Sequence, residues 1–219
     1  MIHPGELWGE PEHGQPDLVV TGGDADLAHA LIGSRTGVLV AFNPSEESDI
    51  ARAIGLRAGA PRQGIALPMD AIQLEDGTLV VNMVILGSAP DRLAWRSRSA
   101  KITVRFDGRT SGLAVEGATT VVVATGQWLR GLDLVPRGHP GDGKADVHTY
   151  AVERRERKHV HHRLLTGTHV PHPYITIRTC VEVNVQASRE LDLEVDGRAK
   201  AETATLRAKI LPARYRLLI

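Results

Sequence analysis

The chain has 219 residues, of which 42% are hydrophobic and 24% are charged, a composition typical of soluble globular proteins. Lys and Arg together number 26, and so do Asp and Glu, so the net charge is zero, which argues against nucleic acid as a partner. The single cysteine, Cys180, allows no internal disulfide and no paired-cysteine metal site. The longest apolar stretch, residues 79–87, is too short to span a bilayer. We therefore predict a cytoplasmic protein, either free or peripheral to a membrane.

The first part of the chain alternates strand and helix patterns. The run "DLVVTGG" predicts a strand and a turn, and "DLAHALIG" predicts a helix closed by its glycine. The run "GVLVAFN" predicts a second strand, and "SEESDIARAIGL" predicts a second helix with Ser45 as its N-cap. This order predicts neighbouring parallel strands at residues 19–23 and 38–43. Residues 1–63 are therefore predicted to form a small α/β lobe.

Residues 64–219 have a different pattern, in which strands follow one another. Asp-Gly pairs between segments of alternating polarity are the strongest short-range signal for a hairpin. Such pairs occur at Asp76-Gly77, Asp107-Gly108 and Asp196-Gly197. The pattern predicts an antiparallel β-sandwich lobe over most of residues 65–210, with the last residues free to return to the α/β lobe.

Four motifs follow one another along the chain. They are "GGDAD" at residues 22–26, "NPSEESDIARAIGL" at 43–56, "ATGQWLRGLDLVPRGHPGDGKADV" at 124–147, and "DGR" at 196–198. Together they resemble the bacterial diacylglycerol kinase / lipid kinase family, a distant relation of the NAD kinases. The corresponding family patterns read GGDGT, P-x-GTAND-FARALGI, an Asn-Gly run that ends in DG-x-x-DV, and DGE. The resemblance covers the chain from Asp17 to the C-terminus.

The resemblance implies a fold, a cofactor and a set of site residues. The implied fold is a two-lobed α+β protein: a small α/β nucleotide-binding-like lobe with parallel strands, followed by an antiparallel β-sandwich lobe. An active member would use ATP and Mg²⁺ to phosphorylate a lipid hydroxyl in the cleft between the lobes. The motif positions implied to act in catalysis are Asp24 and Asp196. Those implied to bind the cofactor are Gly22, Gly23, Asp24, Ser45 and Asp49.

Several residues depart from the family patterns in ways that weaken this chemistry. Ala25 adds a Cβ where a glycine lets the backbone approach a phosphate, and Asp26 and Glu46 replace hydroxyl donors with carboxylates. Arg198 stands where the family has a glutamate, and an arginine cannot accept a proton. We therefore expect a divergent member with weakened or lost phosphoryl transfer that acts as a binding or regulatory module and needs no cofactor.

Two other functions stay open at this point. The first is an active lipid kinase dependent on ATP and Mg²⁺, in which the extra carboxylates hold the metal. The second is a β-sandwich interaction protein whose α/β part only supports folding. In the helix of the second motif, Asp49 and Arg52 are spaced for a surface ion pair.

A basic, histidine-rich segment follows residue 150. On a strand, His159 and His161 would share a face, but neither Cys nor Asp or Glu stands at ligand spacing, so we predict no metal site. Residues 151–163 carry a net charge of +3, which fits a solvated hairpin or contact with anionic lipid at a membrane surface.

The beginning of the chain lacks one family feature. The family's opening strand, with its Asn-Pro-x-Ser-Gly loop, has no counterpart before Asp17, so we expect a shortened α/β lobe. An uncovered edge strand tends to pair with another chain. The sequence therefore predicts a homo-oligomer.

Overall fold

The computed structural model describes residues 8–59, 64–93 and 97–219, and strands predominate in this part of the chain. The strands are Glu10–Pro11 (β1), Leu18–Gly22 (β2), Val38–Pro44 (β3), Ile65–Leu74 (β4), Leu79–Val80 (β5), Met83–Gly87 (β6), Ala100–Phe106 (β7), Leu113–Ala118 (β8), Thr120–Ala124 (β9), Trp128–Leu129 (β10), Leu132–Asp133 (β11), Ala145–Tyr150 (β12), Ile175–Cys180 (β13), Glu182–Val195 (β14) and Arg198–Leu218 (β15). The α-helices are Asp24–Ala30 (α1), Asp49–Ala53 (α2) and Arg157–Arg163 (α3), and short 3-10 helices lie at Pro90–Arg92 and Leu164–Thr166.

The parallel part of the sheet is small. Strands β2 and β3 pair in parallel, with Leu18 opposite Val40, as the alternation of strand and helix patterns predicts. The end of β15 pairs in parallel with β3 on its other side, with Tyr215 opposite Val38. Helices α1 and α2 contribute to the apolar cluster over these strands, where Phe42 is fully buried.

Most of the sheet is antiparallel. Strand β15 pairs with both β14 and β4, and β14 pairs with β6 and β7. The hairpin between β14 and β15 turns at Asp196-Gly197, where φ is +44° and +77°. A two-residue turn of this kind requires the left-handed region at both positions, which explains the Asp-Gly sequence there. The prediction of an antiparallel β-sandwich lobe agrees with this architecture.

Two apolar cores lie on opposite faces of β6 and β9. Val84 of β6 and Val123 of β9 belong to one cluster, together with residues of β7, β14 and β15. The alternate residues Ile85 and Val122 belong to a second cluster, which α3 covers with Val160. Successive side chains of a strand point to opposite faces, so the continuous apolar sequence of these strands follows from burial on both sides.

Two details of the sequence prediction are wrong. The N-cap of α2 is Ser48 and not Ser45, because the Ser48 Oγ accepts the Ala51 N–H at 3.2 Å. Residues 157–163 form a helix rather than part of a hairpin. The predicted lobe boundary at residue 63 falls within residues 60–63, outside the described residues, and stays a prediction. No helix in the described ranges has both the length and the apolar composition to cross a membrane.

Candidate functional site

A pocket of about 610 Å³ brings together all six residues that the motifs implicate. These are Gly22, Gly23, Asp24, Ser45, Asp49 and Asp196. The other lining residues are Ala25, Asp26, Glu46, Glu47, Arg52, Asn82, Arg130, Gly131, Gly197 and Arg198. The pocket therefore lies where the starts of α1 and α2 meet the β14–β15 hairpin. Its volume is in the range usual for small-molecule sites.

Asp24 is the first residue of α1, and it joins the two helix starts. One carboxylate oxygen accepts the Ser48 hydroxyl at 2.6 Å, and the other accepts the Ile50 N–H at 3.2 Å. Burial, with a further contribution from the nearby charge of Asp196, raises the pKa of Asp24 to about 7. This carboxyl group can therefore exchange a proton near neutral pH, but its hydrogen bonds also give it a structural role.

Asp196 is held by the backbone of the loop before β6. Its two oxygens accept the N–H groups of Val81, Asn82 and Met83 at 2.9, 2.9 and 3.1 Å. Burial raises the pKa of Asp196 to about 6, against the effect of these hydrogen bonds. The side chain thus ties the β14–β15 hairpin to a neighbouring strand, and its predicted catalytic role stays a prediction.

Asp49 binds the backbone of a loop in the β-sandwich part. Its carboxylate accepts the backbone N–H groups of Arg130 and Gly131, the latter at 3.0 Å. Within the described part of the chain it forms no ion pair with Arg52, so that prediction is wrong. The Arg52 guanidinium lies over the Trp128 ring instead, 5.8 Å from its centroid.

The Asp26 side chain lies at the N-terminal end of α1 and binds two groups there. Its Oδ2 accepts the Gly23 N–H at 2.9 Å, and its Oδ1 forms an ion pair with the Arg198 Nη2 at 2.6 Å. The Gly23 hydrogen bond, and then the Arg198 guanidinium, lower the pKa of Asp26 below its usual value. A Cβ on Gly22 would lie 2.4 Å from the Asp26 Oδ2, so this carboxylate occupies the space beside the glycine turn.

Ser45 holds the β3 end of the pocket to the same turn. Its backbone N–H donates to the Gly22 carbonyl at 2.7 Å. The contact continues the parallel pairing of β2 and β3, in which Gly22 lies opposite Pro44, so the ends of these strands, which carry the first and second motifs, meet at one edge of the pocket.

Sequence reasoning did not single out Asn82, Arg130 or Gly131, which also line the pocket. The Arg130 guanidinium forms two hydrogen bonds of 2.7 Å with Asp91, and it also contacts Glu194. Its φ of +49° lies in the left-handed region, and its backbone N–H donates to Asp49. Asn82 donates its amide to the Trp128 carbonyl at 3.0 Å. The sequence signal for Asn82 is a polar residue inside an otherwise apolar run.

The described residues contain no group of three or more His, Cys, Asp or Glu side chains that could hold a metal ion. His159 and His161 lie on α3, and two residues apart on a helix they do not share a face. The strand-based argument for a shared histidine face therefore does not apply.

The fold and the pocket define an NAD-kinase-like β-sandwich protein with a short α/β part. The chain belongs to the family described as the YegS C-terminal NAD kinase beta sandwich-like domain, whose model matches residues 70–219. The predicted relationship to diacylglycerol and lipid kinases and to NAD kinases is thereby confirmed. No match was found among curated proteins.

Three solved structures share this fold. A diacylglycerol kinase from Bacillus anthracis str. Sterne is 18% identical with a TM-score of 0.70, and the alignment covers 92% of this chain and 77% of that one. A protein from the same organism, provisionally described as a diacylglycerol kinase, is 16% identical with a TM-score of 0.73 over 92% and 76% of the two chains. An NAD kinase from Archaeoglobus fulgidus in complex with ATP is 11% identical with a TM-score of 0.50 over 94% and 82%.

Proposed function

We propose that this lipid-kinase-like protein has weakened or lost ATP-dependent phosphoryl transfer and acts as a binding or regulatory module. Family membership supplies the kinase relationship. The observation that supports the loss of phosphoryl transfer is the ion pair of Asp26 with Arg198 inside the pocket. These are two of the positions at which the sequence departs from the family motifs.

The Asp26 carboxylate competes directly with a phosphate. Free N–H groups at a helix start are what a phosphate oxygen binds, and the Gly23 N–H already donates to Asp26. A phosphate placed there would also meet a like charge, which costs roughly 1–4 kcal/mol at about 4 Å for effective dielectric constants of 80 to 20, before the neighbouring Arg198 cation is counted. Because about 1.4 kcal/mol is a factor of ten in affinity, the Asp26 carboxylate by itself would weaken binding by roughly fivefold to at most about a thousandfold.

Magnesium and ATP do not fit the residues of the pocket well. Phosphoryl transfer needs Mg²⁺ beside the phosphates, held by free carboxylate oxygens. Asp24, Asp49 and Asp196 direct their oxygens at backbone N–H groups or a hydroxyl of the protein. Arg198 also adds a cation where proton transfer from the lipid hydroxyl would need a base.

One observation favours the alternative, an active lipid kinase dependent on ATP and Mg²⁺. The pKa of Asp24 near 7 is suited to a general base at neutral pH. Glu46 and Glu47 line the same pocket and are exposed, so a metal could reach them. An active kinase would therefore need Glu46 and Glu47 to supply the metal ligands, because the other carboxylates of the pocket already accept hydrogen bonds from the protein.

Thermal unfolding with millimolar Mg-ATP separates the two functions. We expect no rise in the midpoint for the natural sequence, because stabilisation by a ligand becomes negligible when its Kd lies far above its concentration. The combined changes Ala25→Gly, Asp26→Thr, Ser45→Gly and Glu46→Thr should restore a measurable rise. The change Glu190→Thr, at an exposed position outside the pocket, is the matched control and should have no effect.

A transfer assay completes the test. Diacylglycerol in mixed micelles is incubated with the protein and Mg-ATP labelled in the γ-phosphate, and labelled lipid is measured. We expect none from the natural sequence, and none from the fourfold variant while Arg198 remains. Lipid phosphorylation by the natural sequence that is lost in Asp24→Asn would overturn the proposal and establish the active kinase.

A further inference from the structure

Most of the charged side chains that line the pocket already have partners inside the protein. The arginines of this group form ion pairs, and the aspartates accept hydrogen bonds from backbone N–H groups or a hydroxyl. Its members are Asp24, Asp26, Asp49, Arg130, Asp196 and Arg198. A ligand of this pocket is therefore recognised chiefly by the charged groups that remain unpaired.

Arg52 of α2 is the unpaired cation of the pocket lining. Its guanidinium lies 5.8 Å from the centroid of the Trp128 ring, and it has no carboxylate partner among the described residues. A cation–π contact positions the guanidinium and uses none of its N–H donors as a hydrogen bond. The planar guanidinium matches the two oxygens of a carboxylate. Arg52 can therefore bind an anionic group that enters the pocket.

The unpaired acceptors of the lining are Glu46, Glu47 and Asn82. Both glutamates are exposed in the loop before α2 and form no ion pair within the described ranges. Asn82 is only 2% exposed, and its amide oxygen accepts no hydrogen bond from the described part of the chain. A buried acceptor without a donor destabilises the protein, so a ligand N–H that reaches it gains affinity. These acceptors favour a ligand with cationic N–H donors.

The unpaired charges define the charge of the ligand. One guanidinium, that of Arg52, and two carboxylates, those of Glu46 and Glu47, are left to contact it. Their complement carries a single anionic group and more than one cationic group. A carboxylate supplies a single negative charge at neutral pH, whereas a phosphate monoester supplies nearly two. A small molecule with one carboxylate and two amines therefore fits better than a phosphorylated one.

We propose that the pocket binds a basic amino acid or a small molecule of the same chemistry, with its carboxylate on Arg52 and its ammonium groups beside Glu46 and Glu47. The inference rests on the proposed function, because the phosphates of a nucleotide would add negative charge beside the same two glutamates. It specifies the class of ligand for a pocket that has lost phosphoryl transfer. The exposed positions of the two glutamates imply modest affinity that salt reduces.

An NMR titration of the isotope-labelled full chain tests the proposal. The probes are L-lysine, cadaverine, which is lysine without its carboxylate, and hexanoate, which is lysine without its amines. We expect L-lysine to shift the backbone amides of residues 45–53 saturably and to bind more tightly than either fragment. Arg52→Gln should weaken L-lysine binding by about tenfold or more, because a hydrogen bond between charged groups is lost, and should not weaken cadaverine binding. Glu46→Gln with Glu47→Gln should weaken binding of both by roughly two- to thirtyfold, from two exposed ion pairs.

Matched controls separate the pocket from surface charge in general. Arg178→Gln and Glu190→Gln neutralise exposed side chains outside the pocket lining and should leave L-lysine binding unchanged. The inference is overturned if L-lysine shifts no pocket residue, binds no more tightly than cadaverine, or binds the Arg52→Gln variant equally well. Displacement of L-lysine by Mg²⁺ alone would also overturn it and would assign the two glutamates to a metal. Stabilisation of the natural sequence by Mg-ATP refutes the proposed function instead, so the two failures are distinguishable.

Discussion

Asp26 makes two contacts that substitutions can separate. Its Oδ1 pairs with Arg198 and its Oδ2 accepts the Gly23 N–H. Arg198→Ala removes the ion pair and leaves the backbone hydrogen bond. Asp26→Asn removes the charge but keeps an oxygen that can accept from Gly23. Asp26→Ala removes both contacts, so the three variants together resolve the two contributions.

The expected magnitudes follow from exposure and geometry. The ion pair is short at 2.6 Å, but the Arg198 and Asp26 side chains are 60% and 44% exposed. Solvent screening therefore limits its contribution to about 0.2–1 kcal/mol. Loss of a side-chain acceptor at a helix start costs about 0.5–2 kcal/mol. We expect Arg198→Ala to cost about 0.2–1 kcal/mol and Asp26→Ala about 0.7–3 kcal/mol, from the sum of the two terms.

Urea unfolding of the single and double variants measures the coupling between the two side chains. The coupling free energy should be about 0.2–1 kcal/mol at low salt, and it should shrink in about 1 M salt, where the Debye length is about 3 Å. Asp26→Asn should resemble Arg198→Ala rather than Asp26→Ala. If Arg198→Ala instead costs as much as Asp26→Ala, the hydrogen bond from the Gly23 N–H to Asp26 contributes nothing to stability. Asp26 then does not stabilise the start of its own helix.

Three further predictions concern other residues. Asp196→Ala should destabilise the fold by about 3 kcal/mol or more in urea unfolding, because it leaves buried backbone N–H groups without their acceptor, each at about 1–3 kcal/mol; a cost below about 1 kcal/mol would contradict this. The pKa of Asp24 is raised from 3.8 to about 7, so between those pH values the carboxyl ionises in the unfolded chain while it stays protonated in the folded one, and the natural sequence loses stability as pH rises. Asp24→Asn should therefore gain stability relative to the natural sequence between those pH values, and a constant difference would be contrary. Val19 is 76% exposed on β2, which pairs only with β3 among the described strands, so sedimentation should show self-association that Val19→Lys reduces; a monomer at tens of micromolar would count against it.

The architecture follows from local patterns in the sequence. Alternation of strand and helix signals predicts the parallel pairing of β2 and β3, because a helical connection returns the chain in the same direction. Asp196-Gly197 predicts its hairpin, because the required backbone conformation is local to those two residues. In both cases a few adjacent residues contain the information.

The wrong predictions arise where more than one local conformation or contact fits the sequence. Ser45 and Ser48 are both acceptable N-caps, and the choice depends on Asp24, which receives the Ser48 hydroxyl from another part of the chain. In residues 157–163, the basic residues and histidines obscure the helical spacing of Val160 and Leu164, which only burial against the β-sheet makes decisive. Arg52 similarly finds an aromatic ring far along the sequence rather than a carboxylate one turn away.

Asp26 and Arg198 show the limit of a residue-by-residue interpretation. Each departs from its family motif, and each alone predicts only a lost function: a carboxylate against the phosphate, and a cation in place of a base. They are 172 positions apart, and the structure joins them at 2.6 Å. A glutamate at position 198 would place a like charge beside Asp26, and a threonine at position 26 would leave Arg198 without this partner. The two departures therefore compensate one another, which is the basis for regarding the pocket as rebuilt around an internal ion pair.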